Sequence, residues 1–140
     1  MVGASPNPQR PSFFVFRYLR THGYDVCGVN PNYPEVDGVA CYATLADYAK
    51  HNGSPDVVDV FRKASETPGI AREAVAVTAK AIWFQYGVIN DEAVALADRA
   101  GLDVVVDRCM KVEHARFSGG LSSAGMDSGV VTAKRRQGYR

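Results

Sequence analysis

Cysteine is scarce in this chain. Cys27, Cys41 and Cys109 are the only three in 140 residues, an odd number, far apart and with no C-x-x-C pair. That pattern excludes a disulfide framework or a zinc knuckle and fits a reducing compartment. No apolar run approaches the roughly 20 residues of a membrane span, and nothing reads as a signal peptide. The expectation is a soluble, cytoplasmic protein that does not engage a membrane. An excess of charge of one sign is also missing: the formal net charge is +1, which argues against a broad nucleic-acid footprint. The hydrophobic share of 46% and charged share of 22% are those of an ordinary globular chain, long enough for one domain with its own core.

What is present is an alternation of strand and helix signals. The opening, Val2-Gly3-Ala4-Ser5-Pro6-Asn7-Pro8-Gln9-Arg10-Pro11-Ser12, reads as a strand end, a Gly/Pro-punctuated turn and a helix start. Only Met1 and Val2 precede Gly3, whereas a buried strand runs about 4–8 residues. Either the first strand is very short or the chain starts inside it. The first helix is expected over Ser12–His22 with a stop at Gly23, burying Val15, Tyr18, Leu19 and His22 and leaving Arg17 and Arg20 solvated. Asp25–Val29 reads as a strand ending in the loop Asn30–Pro34, and Gly38–Tyr42 as irregular. Thr44–Asp47 resembles a capping box for a helix reaching about His51.

Val57–Phe61 is nearly continuously apolar, as expected of a strand covered on both faces. A helix then starts around Ser65–Pro68, Ala81–Gln85 forms the next strand, Asn90 caps a helix ending at Gly101, and Val104–Val106 is the last strand. Such alternation predicts a parallel sheet flanked by helices. Beyond Cys109 the pattern fades to a short helix over Lys111–Phe117. A Gly/Ser-rich, basic tail over residues 118–140 is expected to be flexible or to contact a partner.

In an open parallel sheet, ligands sit outside the carboxyl ends of the strands. That rule selects the loops at Gly3–Ser12, Asn30–Tyr33, Phe61–Ser65, Gln85–Asn90 and Asp107–Met110. A helix start carries unpaired N–H groups and partial positive charge, and so suits a phosphate. Gly3 would let a ligand approach the backbone, Ser5 and Ser12 offer hydroxyls, and Arg10 offers a guanidinium fork. A capped turn without a ligand is the plain alternative. Arg62 and Lys63 place two cations at a strand end, Gln85 an amide, and Asp107-Arg108-Cys109 a candidate ion pair and a thiol.

The dinucleotide fingerprint G-x-G-x-x-G fails, with Ser5 and Pro8 in place of its later glycines, and the P-loop is absent. Asn30-Pro31 stands where an NAD site wants an acid for the ribose hydroxyls. Without that acid a phosphorylated ribose, as in NADP or CoA, meets no repulsion. His22, His51 and His114 have no nucleophile or metal partner at fixed spacing, so neither a catalytic residue nor a metal site is assigned.

Taken together, Gly3-Ala4-Ser5 with Pro8, Arg10 and Ser12, then Val29-Asn30-Pro31, Asp59–Arg62, Trp83–Gly87 and Asp107-Arg108-Cys109, resemble the small stand-alone CoA-binding domain proteins. These are similar to the CoA-binding domain of the succinyl-CoA synthetase α subunit. The resemblance runs from Val2 to about Arg116. It implies a Rossmann-like, doubly wound, mostly parallel five-stranded sheet over residues 1–117, with helices on both faces, that binds CoA or an acyl-CoA. The Gly3–Ser12 turn, including Ala4 and Pro8, would hold the pyrophosphate. Asn30 and Pro31 would flank the adenosine, and Phe61 and Arg62 would line the nucleotide or pantetheine arm. Gln85, Tyr86 and Gly87 would contact the ligand farther along.

Members of this family usually carry more residues before the Gly-Ala-Ser turn, which supports the expectation of a chain beginning inside its first strand. The phosphohistidine of related acyl-CoA synthetases lies in a second domain that this chain lacks. The resemblance therefore implies binding and assures no reaction. A small NADP-dependent or acyl-CoA-handling enzyme and a scaffold with a decayed nucleotide site are the alternatives. The expected partner is a small nucleotide ligand, with a homodimer or a partner protein left open. Cys109 is expected near the pantetheine end, where it forms a mixed disulfide with CoA or serves only as a packing residue.

Overall fold

The structure is a computed structural model that describes residues 1–118; the tail expected beyond that point lies outside the described residues. Helix α1 (Pro11–Thr21) starts on a proline whose fixed φ suits the first helical position, and it ends ahead of Gly23, at φ 87°. Ser12, Phe13, Val15, Phe16 and Leu19 form its buried face. His22, expected on that face, is exposed and stacks on Tyr18 at 4.0 Å between ring centroids.

Strands β1 (Gly28–Val29), β2 (Glu35–Val36) and β3 (Val39–Tyr42) make a small mixed sheet in the order β1-β3-β2, with β1 and β3 parallel. The stretch Gly38–Tyr42, expected to be irregular, is thus mostly strand. Asp37 and Gly38 both take positive φ (48° and 76°), which closes the β2–β3 hairpin. Arg20, expected to be merely solvated, clamps that turn. Its guanidinium donates to the Asp37 carbonyl at 2.7 Å and to the carboxylate at 2.9 Å.

Helix α2 (Leu45–Asn52) is capped by Thr44, whose hydroxyl accepts from Asp47 N–H at 3.0 Å. Strands β4 (Val57–Val60), β5 (Ala81–Phe84) and β6 (Asp103–Val105) form a parallel sheet in that order. The crossovers are a 3-10 turn (Ala64–Glu66) running into α3 (Thr67–Ala76), and α4 (Asp91–Arg99), capped by Asn90. Helix α5 (Met110–Ser118) follows β6.

The expectation of one five-stranded sheet needs correcting: the described residues form two three-stranded sheets. The extra strands come from the Asp37-Gly38 hairpin, and Asp25–Cys27 stays outside the ladder. Val2 links the two sheets, bridging Val29 on one side and Val60 on the other, both parallel. Its N–H donates to the Asp59 carbonyl and its carbonyl accepts from Phe61, each at 2.8 Å. A cavity of about 380 Å³ is lined by Met1 together with the Val26–Cys27 and Val57–Val58 segments.

Two buried clusters cover opposite faces. Val58, Val60, Ile82 and Phe84 pack with Leu45, Ile70, Ala74, Ala93 and Ala97 of α2, α3 and α4. Ala4, Val36 and the buried face of α1 pack with Phe61, Cys109 and Met110. Helices on both faces of a parallel sheet give the Rossmann-like α/β arrangement. Among the described residues no helix is long and apolar enough to cross a membrane.

Candidate functional site

The alternation of strands and crossovers brings five loops to one end of the sheets. They surround a crevice of about 710 Å³ to which each contributes: Gly3 and Ser12 from the first, Asn30 and Tyr33 from the second, Arg62 from the third, Tyr86 from the fourth and Cys109 from the fifth. These are the five loops that the strand-end rule selects.

The first loop is shaped by its own hydrogen bonds. Ser5 Oγ accepts from Asn7 N–H at 3.2 Å, Asn7 Oδ1 accepts from Gln9 N–H at 2.9 Å, and Arg10 N–H donates to the Asn7 carbonyl at 3.0 Å. The chain thereby enters α1 with Arg10 at the cap position, and no side chain caps the helix. Ser12, one residue into the helix, is 4% exposed and lines the crevice; its hydroxyl has no hydrogen-bond partner among the described residues. Arg10, Arg62 and Lys63 also line the crevice and form no ion pair among the described residues. Glu66 is the acid among the lining residues, and its carboxylate accepts from Lys63 N–H at 3.2 Å. Cations and an uncapped helix start at one opening are groups whose chemistry suits a polyanion.

Other residues serve the scaffold rather than the space. Gly3 has φ 84°, and a β-carbon there would collide with the Phe61 carbonyl, so this glycine is required by the neighbouring strand end. The buried Asn30 donates from Nδ2 to the Ala4 carbonyl at 2.9 Å and accepts from Asn32 N–H at 3.0 Å, tying the first loop to the second. Gln85 donates from Nε2 to Asp59 Oδ1, and its Oε1 accepts from Met110 N–H at 3.4 Å. Both amides edge the crevice, and both spend their polar atoms on the protein's own loops.

Asp59 is fully buried, and its Oδ2 has no partner. Burial pushes its carboxyl up to about 6, with the Gln85 amide pulling the other way. The Asp107 carboxylate accepts from Gly87 N–H at 2.8 Å, fixing the fourth loop. Arg108, expected to pair with Asp107, donates to its backbone carbonyl and lies 4.0 Å from Glu113.

Of the residues singled out from sequence, Gly3, Ser5, Arg10, Ser12, Asn30, Phe61, Arg62, Gln85, Tyr86 and Cys109 line the crevice. Ala4 is wholly buried under α1, Pro8 is exposed, and Pro31 and Gly87 stand outside the lining. Tyr33 and Val88 line it as well without having been singled out; both lie inside loops that the strand-end rule names. None of the three histidines lines it.

Fold and crevice together define a Rossmann-like domain with an opening at the carboxyl ends of its strands. The chain belongs to the CoA binding domain family, whose profile matches residues 1–115. It is 36% identical over 115 residues to the uncharacterized protein YneT of Bacillus subtilis (strain 168), covering 82% of this chain and 83% of that one. A hypothetical protein from Pyrococcus horikoshii OT3 is 46% identical, with a TM-score of 0.80 over 84% of this chain and 81% of that chain. The fold is also shared with part of the dinucleotide forming acetyl-coenzyme A synthetase 1 of Ca. Korarchaeum cryptofilum. There the identity is 21% and the TM-score 0.64, over 75% of this chain and 24% of that one.

Proposed function

We propose that the crevice binds CoA or an acyl-CoA, with the pyrophosphate against the start of α1. The observation that carries this reading is the composition of the lining: Arg10, Arg62 and Lys63, none of them in an ion pair among the described residues, share the crevice with the Ser12 hydroxyl at a helix N-terminus that no side chain caps. Membership in the CoA binding domain family supports the choice of CoA among polyanions. Asn30, not an acid, stands at the end of β1, so the 3′-phosphate of CoA meets no carboxylate there. The ligand-facing groups would be Arg10, Ser12, Arg62 and Lys63, with Tyr33 and Tyr86 as aromatic walls. The role is holding a nucleotide cofactor in a cytoplasmic setting, which three free cysteines fit.

Thermal unfolding in the presence of CoA, acetyl-CoA, NADPH and ATP, side by side, tests this. A ligand at 100 times its dissociation constant adds about 2.7 kcal/mol to the folded state. Stabilisation by CoA and acetyl-CoA above that by NADPH and ATP supports the reading. Stabilisation by NADPH alone shifts it to an NADP-dependent protein, and no response to CoA at millimolar concentration overturns it.

A further inference from the structure

The three thiols of this protein lie in different surroundings. Cys27 lines the 380 Å³ cavity beside Met1, and Cys41 directs its Sγ to the Asn30 carbonyl at 3.7 Å. Burial pushes both of those thiols up, which makes the reactive thiolate rarer. Cys109 is the cysteine that lines the strand-end crevice, and it packs against the same buried cluster as Phe61, the neighbour of Arg62.

The backbone around Cys109 is held on both sides. Trp83 Nε1 donates to the Arg108 carbonyl at 2.8 Å, Met110 N–H donates to Gln85 Oε1 at 3.4 Å, and the Cys109 carbonyl accepts from Glu113 N–H at 3.0 Å. These bonds use main-chain groups and leave the side chain half-buried, facing the same space as the partnerless Ser12 hydroxyl. A ligand seated by that hydroxyl and the neighbouring cations is thus concentrated beside one particular sulfur.

We propose that Cys109 is a thiol-exchange site, which captures the thiol end of a CoA-type ligand as a mixed disulfide. The proposal rests on the CoA reading of the crevice. The co-reactant is a disulfide of the ligand itself, oxidised CoA. The Cys109 thiol loses its proton to solvent, and the resulting thiolate attacks one sulfur of that disulfide. The S–S bond of oxidised CoA breaks, a Cys109–S–S–CoA bond forms, and the second CoA leaves as a thiolate that takes up a proton. The number of disulfide bonds is conserved, oxidised CoA serving as the oxidant of Cys109, and reduction by an ordinary thiol reverses the capture. The crevice would then report the redox state of the CoA pool through its own occupancy.

Intact-mass and peptide-mapping mass spectrometry of the 140-residue protein tests this, after incubation with oxidised CoA or oxidised glutathione at equal concentration. The expected result is one CoA adduct on the Cys109 peptide. It should form about ten times faster or more than the glutathione adduct, because binding places the disulfide at the sulfur. It should be lost in Cys109→Ser and slowed by excess desulfo-CoA. Equal rates for the two disulfides, or labelling of Cys27 or Cys41 instead, overturn the proposal. Calorimetric titration of the reduced wild-type protein with CoA under reductant separates the two readings. Binding without an adduct rejects the exchange site and keeps the CoA reading; neither binding nor adduct rejects both.

Discussion

The carbonyl oxygen of Phe61 occupies the place that a β-carbon on Gly3 would need. A glycine that composition would assign to close approach by a ligand is demanded by the protein's own next strand end. Gly3→Ala meets that collision at φ 84°, where an L side chain is already strained. The expected loss of stability is about 2–4 kcal/mol, read as a lower urea midpoint with an unchanged denaturant slope.

Arg10 and Arg62 form no ion pair among the described residues, so their removal strands no partner there. Arg10→Ala and Arg62→Ala are each expected to shift unfolding free energy by no more than about 0.5 kcal/mol. Each should weaken CoA binding about tenfold or more, the scale of one charge-assisted hydrogen bond. Calorimetric titration checks both numbers, and wild-type affinity in both variants would remove these residues from the site.

Asn30→Ala is expected to behave in the opposite way. The Ala4 carbonyl and the Asn32 N–H lose their partner, at a cost of about 1–3 kcal/mol. Thermal unfolding of the free protein should show the loss before any ligand is added. An unchanged melting temperature would mean that the first two loops hold together without this amide.

Asp59 predicts a pH signature. Its folded-state pKa, about 6, lies above the ordinary carboxylate value, so the folded state holds its proton more tightly than the unfolded chain does. Stability from this group is therefore full below about pH 4 and lost as pH rises to about 6. Above that, the folded protein carries a buried charge that Asp59→Asn lacks, while the asparagine Oδ1 can still accept from Gln85. The melting temperature of Asp59→Asn relative to wild type should rise between pH 5 and pH 8; a flat difference across that range would show that Asp59 is not titrating there.

Much of this molecule could be read from its residues. Pro11 with Gly23 bracketed the first helix, Thr44 and Asn90 announced α2 and α4, and the apolar runs at Val57, Ala81 and Val104 announced β4 to β6. The rule that ligands gather at strand ends selected all five loops of the crevice. The β2–β3 hairpin was missed although Asp37-Gly38 between Glu35-Val36 and Val39-Ala40 is a strong short-range turn signal; the strands were simply too short to show alternation. The duties of Asn30 and Gln85 were hidden for another reason. An amide at a strand end suits a ligand and a neighbouring loop equally well, and the chain forms both contacts, with Ala4 and with Met110, across 25 residues or more of sequence. Arg20 was hidden in the same way, since nothing local told it of the turn at Asp37.

The loop-to-loop amides carry a kinetic consequence. With Asn30 joining the first two loops and Gln85 joining β4, β5 and the start of α5, the opening has its shape while empty, so an incoming ligand need not first wait for disordered chain to settle. Association should follow a single exponential whose rate climbs linearly with ligand concentration, and differences in affinity among CoA thioesters should surface in how long each one stays.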